Sequence, residues 1–207
     1  MVTRPRALTR LRGLVGSDLG DLARRYAVPT HRDGRLNKGW AGQTLERHLG
    51  VALNSRQQPD FPDWELKGVS LTLDRLGMPR AKETMAITMF NPSHVIATPF
   101  AHSHLRQKLR RMLVVGWVAD PDSPARATIV CAESFNLPPH VEALVKADYD
   151  RIRGLLRVYG PAVVTGRVGE WVQARPKGPG RGSTSRAFYA RQRLIDLILR
   201  FEVTNTP

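Results

Sequence analysis

The 207 residues carry 32 Lys+Arg against 18 Asp+Glu, a formal net charge of +14, and 42% of them are hydrophobic. That apolar share supports a buried core in one domain or two closely packed lobes and excludes disorder as the default reading. No apolar run approaches the ~18–20 residues of a membrane span, Met1 to Gly20 lacks a signal peptide's apolar stretch, and the lone Cys131 excludes an internal disulfide, so a reducing cytoplasm is expected.

Ser17-Asp18-Leu19-Gly20 reads as a helix start, with Leu19, Leu22, Ala23 and Tyr26 recurring at helical spacing. Pro29 to Leu36 is polar, holds Pro29, Asp33 and Gly34, and reads as a loop. Lys38 to Leu49 predicts a helix with a less polar stripe of Trp40, Ala41, Thr44, Leu45, His48 and Leu49; Glu46 lies near that stripe and Lys38 toward the polar flank. Asn54 to Pro62 has no periodicity and reads as a loop. Trp64 to Leu73 alternates in part and predicts a strand, closed by an Asp74-Arg75-Leu76-Gly77 turn. Thr84 to Phe90, Arg111 to Val118 and Ala127 to Ala132 predict three more strands, with a short basic helix or turn over His102 to Arg111.

Pro138-Pro139 opens a long helix over His140 to Tyr159, with Val141, Leu144, Val145, Tyr149, Ile152, Leu155 and Leu156 on one face. Trp171 to Ala174 is short and strand-like, and Arg175 to Ser185 is rich in glycine and basic residues. A last helix is expected to start at Arg186 or Phe188, with Leu194, Ile195, Ile198 and Leu199 on its buried side. Together these elements predict an α/β chain around a central, mainly antiparallel or mixed sheet.

A positive excess of this size repels itself in a compact fold, and a polyanion relieves it. Nucleic acid is the first candidate, since neutralised phosphates release counterions; arginine-rich composition also follows from a GC-rich genome, so charge alone leaves both open. No segment combines a clean basic face with large apolar anchors, which argues against a membrane surface.

The chemistry concentrates in Asp60-Phe61-Pro62-Asp63-Trp64-Glu65-Leu66-Lys67. On a strand, Glu65 and Lys67 stand two apart and point to one face, while Leu66 anchors the other. Asp60, in the preceding loop, can fold back to complete a metal site; Asp63 competes with it if the strand starts early. Phosphodiester hydrolysis needs an in-line water, a Lewis acid and compensation of developing negative charge. Carboxylate oxygens suit Mg²⁺, for which Mn²⁺ can substitute, and the Lys67 ammonium beside the water would orient it or balance charge at phosphorus. The alternative is a solvated Glu/Lys pair on a sheet edge. Glu46 offers another acidic group from the upstream helix. His104-Leu105-Arg106-Gln107-Lys108-Leu109-Arg110-Arg111 sets four cations in six positions, as a phosphate-contacting stripe or a solvated helix face. Arg175-Pro176-Lys177, Arg181, Arg186 and Tyr189 can read base edges or touch phosphates, with Gly178, Gly180 and Gly182 allowing close approach or simple flexibility.

The order Lys38-Gly39-Trp40-Ala41-Gly42, Leu45-Glu46-Arg47-His48-Leu49-Gly50, Asp60-Phe61, Glu65-Leu66-Lys67 resembles the MutH family, which holds the mismatch-repair strand-nicking endonuclease and related restriction enzymes that cut at GATC. The resemblance continues through Leu76-Gly77-Met78-Pro79, Ser103-His104-Leu105-Arg106-Gln107-Lys108-Leu109, Gly169-Glu170-Trp171-Val172-Gln173-Ala174-Arg175-Pro176-Lys177 and Ala187-Phe188-Tyr189. It implies Glu46, Asp60 and Glu65 as metal-binding acids, Lys67 as the catalytic lysine and Lys108 as a second active-site lysine. It also implies Lys38 beside the DNA and Arg175, Lys177 and Tyr189 as base- and phosphate-reading positions.

The fold it implies is a two-lobed α/β nuclease with a restriction-endonuclease-like core and a DNA cleft between the lobes. The whole of residues 1–207 would form one such domain, with a catalytic lobe over roughly 17–135 and a DNA-reading part over roughly 138–207. The expected function is Mg²⁺-dependent nicking of double-stranded DNA at GATC-type sites in mismatch repair, by a cytoplasmic, nucleoid-associated monomer with a MutL-type ATPase as partner. A type II restriction enzyme of the same family, cutting both strands, is the alternative; a non-catalytic DNA-binding module is a further one.

Overall fold

The computed structural model describes residues 2–50, 61, 63–123, 125–177 and 185–201. The chain opens with α1 (Arg4–Arg12), a helix the sequence reading did not anticipate, with a proline in its first turn. Arg4 is buried and latches α1 to the sheet: its guanidinium donates to Asn136 Oδ1 (2.6 Å), Phe135 O (2.6 Å) and Met112 O (2.9 Å). Helix α2 (Leu19–Arg25) starts at Asp18, whose carboxylate accepts from the Asp21 N–H, satisfying one orphan donor.

Residues 29–36 are not a plain loop. They form a hairpin of β1 (His31–Arg32) and β2 (Arg35–Leu36), joined by Asp33 and Gly34 at φ 50° and 70°. Positive φ at both central residues is the geometry that Asp-Gly favours. Helix α3 (Trp40–His48) follows and buries Trp40, Ala41, Thr44 and Leu45.

Strand β3 (Glu65–Leu73) turns at Asp74–Met78 into the short β4 (Pro79–Ala81). Strand β5 (Met85–Phe90) leads into α4 (Pro92–Ala97), capped by Asn91, and α5 (His104–Arg110), capped by Ser103. Then come β6 (Arg111–Ala119), β7 (Ala127–Asn136), the long α6 (Pro139–Tyr159), β8 (Val172–Pro176), β9 (Arg186–Ala190) and α7 (Gln192–Ile198).

The mixed central sheet expected is present, and a second, smaller sheet accompanies it. The first has the mixed order β4-β3-β6-β7, with β3 parallel to β6 and the other pairs antiparallel. The second, β5-β9-β8, is antiparallel throughout. The fold is therefore mixed α/β, as the element pattern predicted. The expected helix start at Arg186 or Phe188 is overturned: these residues belong to β9, the middle strand of the second sheet, and the helix begins only at Gln192. Ala187 to Ala190 are all buried, so the segment shows no period-2 alternation to separate it from a buried helical turn.

Strand β6 divides the interior. Leu113 and Val115 join Leu66 and the apolar faces of α1–α3 in one core, while Met112 and Val114 join Val69, Leu71, α6, α7 and the second sheet in another. Burial on both faces explains its uninterrupted Met112-Leu113-Val114-Val115 run. Among the described residues no helix is long and apolar enough to cross a membrane.

Candidate active site

Strand β3 begins at Glu65, so Glu65, Lys67, Val69 and Leu71 share one face, and Leu66 packs into the opposite core beside Trp64. Parallel pairing with β6, at Glu65↔Met112 and Lys67↔Val114, sets this end of β3 beside the start of β6. Gly68 stays bare because the Trp117 ring fills its side: an added Cβ would lie 2.8 Å from Trp117 Cη2 and 3.5 Å from Leu45 Cδ1. That close approach seats α3 on β3.

Glu65 has no exposed side-chain surface, and two ammonium groups meet one of its oxygens. Lys67 Nζ lies 2.6 Å from Oε1 and Lys108 Nζ donates to it at 2.9 Å. A buried carboxylate requires such partners, since an unpaired charge in the interior is very costly. Lys108 reaches it from α5 and keeps 8% of its side-chain exposure, against 21% for Lys67.

The basic segment around α5 is not a stripe. Lys108 turns inward to Glu65, Arg106 pairs with Glu142 on α6, and Arg111 pairs with Asp63. Helical geometry sends Arg106 and Lys108 to different faces, and Arg111 already belongs to β6, which the bare count of cations concealed.

The same ion pair bears on Asp63. The strand starts at Glu65, so the early start needed for Asp63 to share a face with Glu65 is not met, and its carboxylate is bound to Arg111. Asp60 lies outside the described residues. The neighbouring Phe61 is buried, stacks on Trp64 with ring centroids 3.5 Å apart, and donates its N–H to Trp64 O at 3.2 Å. Glu46 is half-buried on α3, the helix seated on β3. Among the described residues no three His, Cys, Asp or Glu side chains gather as a metal-binding group. The buried oxygens of Glu65 are the hard donors that Mg²⁺ takes, and completion of the expected set turns on Asp60.

On the second sheet, Arg175 and Tyr189 are diagonal neighbours across β8 and β9, where Gln173 pairs with Tyr189 and Arg175 with Ala187. The Arg175 guanidinium lies 4.2 Å over the Tyr189 ring centroid, a cation–π contact that covers the ring and leaves Tyr189 8% exposed. Tyr189 thus stands under Arg175 as its platform. Lys177 follows β8 and donates its N–H to Ser185 O at 2.7 Å, closing the β8–β9 connection. Desolvation, then the ammonium groups of Lys67 and Lys108, hold its pKa below the usual lysine value. Lys38 stands exposed between the hairpin and α3. Residues 178–184, with Arg181, Gly178, Gly180 and Gly182, lie outside the described residues.

A separate cavity lies between α4, α5 and the second sheet. His94 and His104 face each other with ring centroids 5.3 Å apart, and with Phe90, Tyr149 and Phe188 they line this cavity of about 390 Å³. His104 precedes Lys108 by one helical turn; burial, then His94 and Lys108, depress its pKa below 6.5. The available signal was this i, i+4 spacing on a short helix.

A family model described as "DNA mismatch repair enzyme MutH" matches residues 49–148. A Vibrio cholerae protein named "DNA mismatch repair protein MutH" is 30% identical over 199 residues, 96% of this chain and 89% of its own length. Its namesake from Serratia proteamaculans is 30% identical over 171 residues, 81% of this chain and 73% of its own length. That from Haemophilus influenzae is 26% identical over 197 residues, 95% and 87%. Among solved structures, a complex titled "Restriction endonuclease MvaI-cognate DNA substrate complex" covers 86% of this chain and 94% of its own at 12% identity. Its TM-score of 0.37 is too low to bear on the argument.

Proposed function

The chain belongs to the MutH family of DNA mismatch repair endonucleases, and from that premise we propose that it nicks double-stranded DNA at GATC-type sites in a Mg²⁺-dependent reaction. The observation that supports the catalytic reading is the fully buried Glu65 carboxylate with Lys67 and Lys108 on one oxygen. Glu65, Asp60 and Glu46 would hold the metal, which when bound polarises a phosphoryl oxygen and lowers the pKa of water; Mn²⁺ would serve in its place.

The residues divide the remaining work by burial. Lys108, nearly enclosed, fixes the Glu65 carboxylate. Lys67 is the more accessible ammonium and is the group placed to orient the attacking water or meet charge developing on the phosphate. Arg175, held over the Tyr189 ring, is a preorganised donor fork of the kind that reads guanine O6 and N7, and Lys177 and Lys38 would contact DNA beside it. A MutL-type ATPase as activating partner and a monomeric state, in which one active site reaches one strand, complete the proposal.

Purified protein incubated with supercoiled plasmid and Mg²⁺ should give open-circular product, stopped by chelation and reduced to background in Glu65→Gln. Linear product would move the reading to a double-strand restriction enzyme. Undiminished nicking by Glu65→Gln would place the active site elsewhere, and nick ends scattered away from GATC would remove the sequence assignment.

A further inference from the structure

Asp148 lies on α6, yet its carboxylate serves another element. It is 7% exposed, and three successive backbone N–H groups converge on it. Glu170 N–H donates to both oxygens at 3.0 Å, Trp171 N–H to Oδ2 at 2.7 Å, and Val172 N–H to Oδ2 at 3.0 Å. The curl that aims these donors inward starts at Gly169, with φ at 89°. A Cβ there would collide with Val172 O and lie 3.1 Å from Asp148 Cγ, so only glycine closes the nest.

The last donor, Val172, is the first residue of β8, which carries Arg175 and ends beside Lys177. Among the described residues β8 is an edge strand, laddered to β9 and to no second strand that would hold its register from the other side. Helix α6 is by contrast fixed, with Val141, Val145, Tyr149, Ile152 and Leu156 buried and the Tyr149 hydroxyl donating to Thr98 O at 2.9 Å. Asp148 therefore fastens the first residue of an edge strand to a helix that is itself anchored in the core. A shift of about 1 Å in a group that positions substrate can cost on the order of a hundredfold in rate.

We propose that Asp148 is the positioning residue of the DNA-reading strand: the Asp148–Gly169 clasp sets where Arg175 and Lys177 stand relative to Glu65, Lys67 and Lys108. This rests on the reading that Arg175 and Lys177 contact DNA. Asp148→Asn keeps the shape but turns one acceptor oxygen into a donor that faces backbone N–H groups. Asp148→Glu keeps charge and acceptors on a stem one methylene longer, which preserves folding while displacing the nest.

The test measures nicking of a duplex with one GATC and of a duplex with one base of that site changed, using folded wild type, Asp148→Asn, Asp148→Glu, Arg175→Ala and Arg175→Ala combined with Asp148→Glu. Both Asp148 variants should lower the ratio of the two rates by about tenfold to a hundredfold, and Asp148→Glu should add little once Arg175 is removed. If Asp148→Asn does not fold, Asp148→Glu decides alone. An unchanged ratio in Asp148→Glu, with a lowered ratio in Arg175→Ala, overturns the positioning role and leaves the DNA-reading assignment standing. An unchanged ratio in Arg175→Ala, or no discrimination by the wild type, overturns the reading and the proposal with it.

Discussion

Glu65, Lys67 and Lys108 form one charge cluster, but the two lysines are not equivalent. Lys108 retains 8% of its side-chain exposure and Lys67 21%, so water can replace the second more readily than the first. Lys108→Met leaves a buried carboxylate short of its enclosed partner and should cost about 3 kcal/mol, the lower end of the range for breaking buried pairs. For a chain of this size that lowers Tm by about 6–12 °C. Lys67→Met should leave Tm closer to wild type yet slow nicking by about 10²–10³-fold, the usual loss for one donor aimed at developing charge. Thermal unfolding and single-turnover nicking of both variants separate these effects. Equal losses of Tm would show that burial does not distinguish the two lysines.

At the scale of elements, strand β3 tests how the site is held. Gly68 sits between Lys67 and the core, and the Trp117 ring occupies the space of its missing side chain. Gly68→Ala should therefore destabilise the chain by about 1–3 kcal/mol through overpacking, and Trp117→Leu in the same chain should recover part of it; denaturant midpoints measure both. If Gly68→Ala is neutral, the ring moves aside freely and does not seat α3. Strand β3 and helices α2, α3 and α6 were legible because their apolar residues recur with a clear period and their ends carry Asp18, Pro138 and Gly77. The hairpin was missed although Asp33-Gly34 is a strong turn signal, because its two-residue strands are exposed and have no hydrophobic pattern. β9 was misread because Ala187 to Ala190 are all buried, which hides any alternation. In the site, Glu65 and Lys67 followed from strand geometry alone. The inward turn of Lys108, the pairing of Asp63 with Arg111 and the platform under Arg175 join distant segments, and local spacing carries no such information.

The whole molecule has two cores on opposite faces of one sheet, and a depressed histidine attends each. Burial, with Arg10 next, lowers the pKa of His48 below 6.5 on the α3 side, and burial, His94 and Lys108 do the same to His104 on the other. The folded chain then binds fewer protons than the unfolded one below pH 6.5. Its stability is full above that pH, falls as pH drops toward the depressed values, and loses no more from these groups beyond them. Tm measured from pH 7.5 to 5 should follow this course, and His104→Gln should flatten it; an unaltered slope would assign the loss to other groups. The net charge of +14 acts over the same scale but through the partner. Each phosphate neutralised on duplex DNA contributes about −0.9 to the slope of log K against log salt. Arg175 and the exposed Lys38 can each supply such a contact, whereas Lys108 is already committed to Glu65. Lys38→Ala should therefore make the slope shallower by about one unit, and Lys108→Ala should leave it unchanged while abolishing nicking. A slope that falls equally in both would mean that Lys108 leaves Glu65 for the DNA backbone, and its role would then be binding rather than support of the buried carboxylate.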